Sequence, residues 1–248
     1  MKVIECNNLL KSYGTKKVLD GINLSVNQGE FFGLVGMNGS GKSTMIKAML
    51  DLVAVDGGEI KLFGESHRQV TARKNLAYLP DLFSPPPHLK GKDFIRYMLE
   101  LQGQKCDKTD INKMLDALEL DKAAMQSSVS KLSKGMTQKL GLAACLLSDK
   151  KLLMLDEPMS GLDPKARVLF KNELHSKKRN DPDDPGLTVF FSSHVLADVD
   201  ELADRIAVLH NSKLMYIGST AGLKKEYAAE TLEEAYMQCI ENIVGSWQ

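Results

Sequence analysis

Two short runs in this chain of 248 residues combine residue types that handle phosphate chemistry. The first is Gly36-Met37-Asn38-Gly39-Ser40-Gly41-Lys42-Ser43-Thr44, in which Gly36, Gly41, Lys42 and Ser43 stand at the P-loop spacing G-x-x-x-x-G-K-[ST]. Glycines let the backbone curl until its N–H groups converge. A helix starting at that point adds unpaired N–H donors and the positive end of its dipole, so an anion is held there. Lys42 would reach the β- and γ-phosphates, and the Ser43 hydroxyl would ligate Mg²⁺. The second run is Leu152-Leu153-Met154-Leu155-Asp156-Glu157, an apolar stretch closed by two carboxylates. A buried strand ending in an acid presents Asp156 to the water shell of a metal. Glu157, one residue later, faces the other way, toward an attacking water that it would orient or deprotonate.

The elements that must position these groups are legible around them. Phe31–Val35 reads as a buried strand leading into the glycines, and Met45, Ile46, Ala48, Met49 and Leu50 continue as a helix. Upstream, residues 2–10 and 17–26 read as a half-buried hairpin around Tyr13-Gly14-Thr15, on the alternation of Val18, Ile22, Leu24 and Val26. Asp56-Gly57-Gly58 is expected to turn into a strand at Glu59–Phe63. A short strand at Asn75–Leu79 is expected to stop at Pro80. Ser84-Pro85-Pro86-Pro87 is a stiff connector. Beyond it Phe94, Ile95, Tyr97, Met98 and Leu101 form one apolar helical face, and Ile111, Met114, Leu115 and Leu118 another. Residues 82–150 thus read as a helical insertion. The α/β pattern returns with a strand at Leu152–Leu155, a helix from Pro164 to about Lys178 and a polar loop at Asn180–Gly186. A strand at Leu187–Ser192, a helix at Val195–Ala203 and a hairpin of Arg205–His210 with Lys213–Gly218 follow. Helical stretches near 219–228 and 231–241 end the chain.

Lysine plus arginine and aspartate plus glutamate are balanced at 32 each, which argues against a general nucleic-acid binder. Cys6, Cys106, Cys145 and Cys239 are scattered without a C-x-x-C pair, the pattern of free thiols in a reducing cytosol. The N-terminus lacks an apolar signal core, and no run approaches a membrane span of about 18 apolar residues. Any membrane role is therefore expected to need a partner.

Further motifs follow the P-loop in a fixed order: Leu132-Ser133-Lys134-Gly135-Met136, then Asp156-Glu157-Pro158, Ser160-Gly161-Leu162-Asp163 and Ser192-Ser193-His194. Together they resemble the ATP-binding cassette (ABC) ATPases over about residues 2–220. The resemblance implies an α/β fold: a P-loop NTPase core with an antiparallel β subdomain and a helical insertion. It divides the chain into an ATPase domain at 1–220, with the helical subdomain at 82–150, and a short helical extension at 221–248. It implies ATP and Mg²⁺ as ligands. The run Gly36, Asn38, Gly39, Ser40, Gly41, Lys42, Ser43 and Thr44 would hold the phosphates, and Tyr13 would stack on adenine. Ser43 and Asp156 would serve the metal, with Asp81 where the family usually has glutamine; a shorter acid there still reaches Mg²⁺ or its water. Glu157, His194 and Lys42 would be catalytic. Ser133 and Gly135, at a helix start, would face the γ-phosphate of ATP held by a second subunit, and Asp163 would reach across that interface. The remaining histidines, His67, His88, His175 and His210, read as surface or core residues.

The form Ser-Lys-Gly-Met and the ending Thr231-Leu232-Glu233-Glu234-Ala235-Tyr236 resemble the type-2 exporter branch of this family. That branch implies a cassette working as a homodimer, or paired with a related cassette. The cassette would be cytoplasmic and peripheral on the inner face of the cell membrane. It would drive export through a separate permease, contacted by the segment Asp81–His88. A soluble ABC ATPase acting on a protein assembly, such as an iron–sulfur scaffold, is the alternative.

Overall fold

A computed structural model describes residues 1–104, 107–178 and 186–241. Of the polar loop expected at Asn180–Gly186, only Gly186 falls among them, and Cys106 lies outside them.

Two sheets organise the chain. The smaller is antiparallel, in the order β2-β1-β4-β5, from β1 (Lys2–Tyr13), β2 (Lys16–Asn27), β4 (Gly57–Leu62) and β5 (Glu65–Ser66). β1 runs longer than expected, as far as Tyr13, and β4 starts at Gly57, so the glycines placed in a turn begin the strand. The larger sheet has the order β10-β9-β3-β8-β7-β6. Its strands are β3 (Phe31–Val35), β6 (Leu76–Leu79), β7 (Leu152–Leu155), β8 (Thr188–Ser193), β9 (Arg205–His210) and β10 (Lys213–Gly218). All neighbours pair in parallel except β10, which returns antiparallel on β9.

The central parallel strands are largely apolar because they are covered on both faces. Phe31 and Val35, Leu153 and Leu155, and Val189 and Phe191 enter one apolar cluster. The alternate residues Phe32 and Leu34, Leu152 and Met154, and Phe190 enter a second, shared with the antiparallel sheet. Phe32 and Phe190 stack there at 5.8 Å between ring centroids. Burying each such ring contributes about 1.5–3 kcal/mol before chain entropy is counted.

Helix α1 (Lys42–Met49) follows β3, and α2 (Gly91–Leu101), α3 (Lys108–Ala117) and α4 (Lys134–Leu146) lie between β6 and β7. Helix α5 (Pro164–Ser176) links β7 to β8, and α6 (Leu196–Leu202) links β8 to β9. The chain is described to the end of α7 (Thr220–Glu226) and α8 (Leu232–Glu241). On α3 the expected face is the buried one: Ile111, Met114 and Leu115. On α2 it is not. Phe94, Ile95 and Leu99 are buried, whereas Tyr97 and Leu101 are 47% and 64% exposed. A period near 3.6 fits either set of residues, and only packing against α4 selects one. Helix α8 docks fully: Leu232, Ala235, Tyr236, Cys239 and Ile240 join the cluster beneath the helices.

Candidate functional site

The loop between β3 and α1 has little room for side chains. A Cβ on Gly36 would stand 2.5 Å from the Leu209 carbonyl oxygen and 2.6 Å from Ser40 Oγ, and Gly41 holds φ at +112°. Glycine is required at both for steric and backbone reasons. Ser40 Oγ is buried without a hydrogen-bond partner, an unusual state for a hydroxyl unless a ligand supplies the partner. Helix α1 starts at Lys42, so the first-turn amides have no helical acceptor. The fit is that of an anion cradle.

Lys42 is buried, 5% exposed. Its ammonium donates to the Gly36 carbonyl at 2.8 Å and the Met37 carbonyl at 3.3 Å. It also lies 3.2 Å from Glu157 Oε1, an ion-pair contact without hydrogen-bond alignment, since that oxygen has no bonded partner. The other oxygen, Glu157 Oε2, accepts from His194 Nδ1 at 2.8 Å. The ends of three parallel strands, β3, β7 and β8, thus bring Lys42, Glu157 and His194 together. Glu157 does so with φ at +50°, in the left-handed region that non-glycine residues seldom occupy. This turn separates its side chain from that of Asp156.

Asp156 is 2% exposed, and its N–H extends the sheet by donating to the Leu79 carbonyl at 2.8 Å. Ser192 Oγ donates to Asp156 Oδ1 at 2.6 Å and accepts the Glu157 N–H at 2.9 Å. One hydroxyl therefore fixes both acids. Sequence reasoning quoted Ser192 only as part of the histidine motif and gave it no role. No local signal marks it, because its role depends on β8 pairing beside Leu155 of β7. With Ser43 on the first turn of α1, Asp156 supplies hard oxygen donors. A set this small suits Mg²⁺, which keeps waters and phosphate oxygens as its other ligands. Among the described residues no cluster of three or more His, Cys, Asp or Glu forms a metal cage of its own.

Asp81 follows β6 and is open at the surface, yet its carboxyl is pushed above the usual range. Partial desolvation is the main cause and the negative charges of Asp156 and Glu157 come next, while Lys134 and His194 oppose the shift. It therefore lies in the electrostatic reach of the two acids.

The other candidates stand further out. Tyr13, at the end of β1, is half exposed, with the Lys11 ammonium 5.1 Å from its ring centre. Ser133 caps α4 by accepting from Met136 N–H at 3.2 Å. A Cβ on Gly135 would meet the Gly161 carbonyl oxygen at 3.0 Å, and Gln138 Nε2 donates to the Pro158 carbonyl at 3.0 Å. The first turn of α4 thus rests on loop 158–163. Asp163 closes that loop and caps α5, accepting from Ala166 N–H at 2.9 Å, a bond that holds its carboxyl below the usual range. The carboxylate expected to reach another subunit is engaged with its own helix in this chain. His67 is buried with Nδ1 3.1 Å from the Ile60 carbonyl oxygen, and His175 stacks on Phe31, both ordinary packing roles.

The family model described as "ABC transporter" matches residues 19–160. A shorter match over residues 126–196 is to the model described as "AAA domain, putative AbiEii toxin, Type IV TA system". The chain is 36% identical over 229 residues to an uncharacterized ABC transporter ATP-binding protein of Synechocystis, covering 88% of this chain and 63% of that protein. It is 32% identical over 238 residues to the lantibiotic transport ATP-binding protein SrtF of Streptococcus pyogenes, covering 94% of this chain and 96% of SrtF. A solved structure of an ATP-binding subunit of an ABC transporter superposes with a TM-score of 0.84 at 26% identity, covering 96% of this chain and 99% of that one.

Proposed function

The chain belongs to the ABC transporter family, and from that premise we propose that it binds and hydrolyses ATP to energise export through a separate membrane permease. The observation that carries the ATPase reading is the convergence of Lys42, Glu157 and His194 at one sheet edge, beside the glycine cradle and Asp156. The cradle amides, Lys42 and the hydroxyls of Ser43 and Thr44 bind the triphosphate, and Tyr13 stacks on the base. Ser43 and Asp156, with Asp81, would hold Mg²⁺, which would supply charge neutralisation on the phosphate oxygens when bound. Glu157 orients water for in-line attack on the γ-phosphorus and accepts its proton. Lys42 and His194 face the charge that develops. Holding a left-handed backbone at Glu157 fixes that geometry in advance.

A second copy, or a related cassette, completes each site with its own Ser133, Gly135 and Asp163. Release of Asp163 from its capping bond accompanies that closure. Residues 82–150 then move as a unit, and Asp81–His88 meets the permease. No helix among the described residues is long and apolar enough to cross a membrane. The cassette sits at the inner face of the membrane, held there by its partner. SrtF, 96% of which is covered, is named for lantibiotic transport, which supports a lantibiotic as the class of cargo. The transport names of these relatives do not favour the soluble-assembly alternative.

The test is Glu157→Gln. Turnover, followed as phosphate release, should fall by about 10²–10⁴-fold while ATP is still bound and pairing of cassettes persists. Turnover within about threefold of wild type would remove Glu157 from the role of base.

A further inference from the structure

Helix α8 places one side chain against the phosphate loop from outside. Tyr236 is 7% exposed, and its hydroxyl is buried without a hydrogen-bond partner. Burial pushes the phenol's pKa up, and the nearby Met37 backbone amide opposes that rise without forming a hydrogen bond. Both residues line a cavity of about 310 Å³, together with Gly36, Asn38, His194 and Leu196. A buried phenol with no partner is uncommon unless another state of the protein supplies one. The ring is held firmly, because Leu232, Ala235, Cys239 and Ile240 fix α8 in the core on the same face. On the loop side Gly39 and Gly41 hold positive φ, and Lys42 lies 3.2 Å from Glu157 Oε1.

We propose that Tyr236 is a positioning residue for the nucleotide loop, accepting the Met37 N–H when the loop closes on triphosphate and so tying the C-terminal helix to ATP affinity. This rests on the ATP-binding reading given above. Met37 is the one residue of the loop outside the phosphate-holding set of Gly36 and Asn38 to Thr44, so a bond at its N–H sets the loop's curvature without touching the ligand. His194 lines the same cavity while its Nδ1 lies 2.8 Å from Glu157 Oε2, so the cavity borders the catalytic pair.

The test is Tyr236→Phe, which keeps the ring and removes only the hydroxyl. The expected result is an unchanged thermal midpoint without nucleotide, ATP affinity weakened at least threefold and the maximal rate per bound ATP unchanged. A second measurement uses the chain labelled with 3-fluorotyrosine, the Tyr236 fluorine signal being assigned as the one missing in the Phe variant. That signal should shift when Mg-ATP is added. Equal ATP affinity in both proteins, or a Tyr236 signal that ignores Mg-ATP, overturns the proposal and leaves the ATPase reading standing. A wild-type chain that binds no ATP overturns both.

Discussion

Removing the Ser192 hydroxyl tests whether one buried group fixes both acids. Ser192 has no exposed surface, and its Oγ donates to Asp156 at 2.6 Å while accepting from Glu157 N–H at 2.9 Å. Alanine deletes a bond to a charged acceptor, about 1.5–3 kcal/mol, and strands a backbone N–H, about 1–3 kcal/mol. The two losses share one atom and do not add fully, so we expect about 3 kcal/mol in total. In a domain of this size each kcal/mol moves the midpoint by roughly 2–4 °C, giving a fall of roughly 6–12 °C. Scanning calorimetry of the nucleotide-free protein reads it directly. Ser193→Ala is the control, since Ser193 Oγ bonds only the neutral Val195 backbone, accepting from its N–H at 3.0 Å and donating to its carbonyl at 3.4 Å, and it should lose about 1 kcal/mol. Phosphate release by Ser192→Ala should fall by about 10–100-fold, because Glu157 loses the bond that keeps its backbone in place. A midpoint for Ser192→Ala no lower than that of Ser193→Ala would refute the bridging argument, whatever happened to turnover.

Gly36→Ala forces a Cβ to 2.5 Å from the Leu209 carbonyl oxygen. It should cost about 1–3 kcal/mol of stability and weaken ATP binding about tenfold; calorimetry beside nucleotide titration checks both. Asp81→Ala should lower both basal phosphate release and its stimulation by a membrane partner, and unchanged values would remove it from the site. Full burial pushes the Cys6 and Cys145 thiols up to about 12, so at pH 8 both stay neutral in the native protein. Mass spectrometry after iodoacetamide should find neither modified until denaturant is added; native labelling would show that the two cores open readily.

The strand–loop–helix around Lys42 was legible because three local signals agree there: an apolar run, glycines at fixed spacing and a helical period. The same holds for Leu152–Glu157, where the switch from apolar to acidic marks a strand end. What escaped depends on partners far along the chain. Ser192 matters because β8 pairs with β7, and Tyr236 because α8 packs back on the core; neither contact leaves a mark near its own residue. The face of α2 was misread for a related reason. Tyr97, Leu99 and Leu101 are all apolar, and α4, not the period, decides which are covered. Asp163 was expected to reach another subunit, and its capping of α5 was not foreseen, because a capping acceptor and an interface acid look alike in sequence.

The close seat of Gly135 on Gly161, with Gln138 fastened to Pro158, leaves no slack between the start of α4 and the loop that leaves Glu157. A Cβ at Gly135 would press on the Gly161 carbonyl oxygen, and one at Gly161 would be strained by its φ of +76°. These two stretches are therefore bound to drift together over generations. A cassette assembled from halves of different relatives would show its first defect at this seam, before any residue that handles phosphate had been altered.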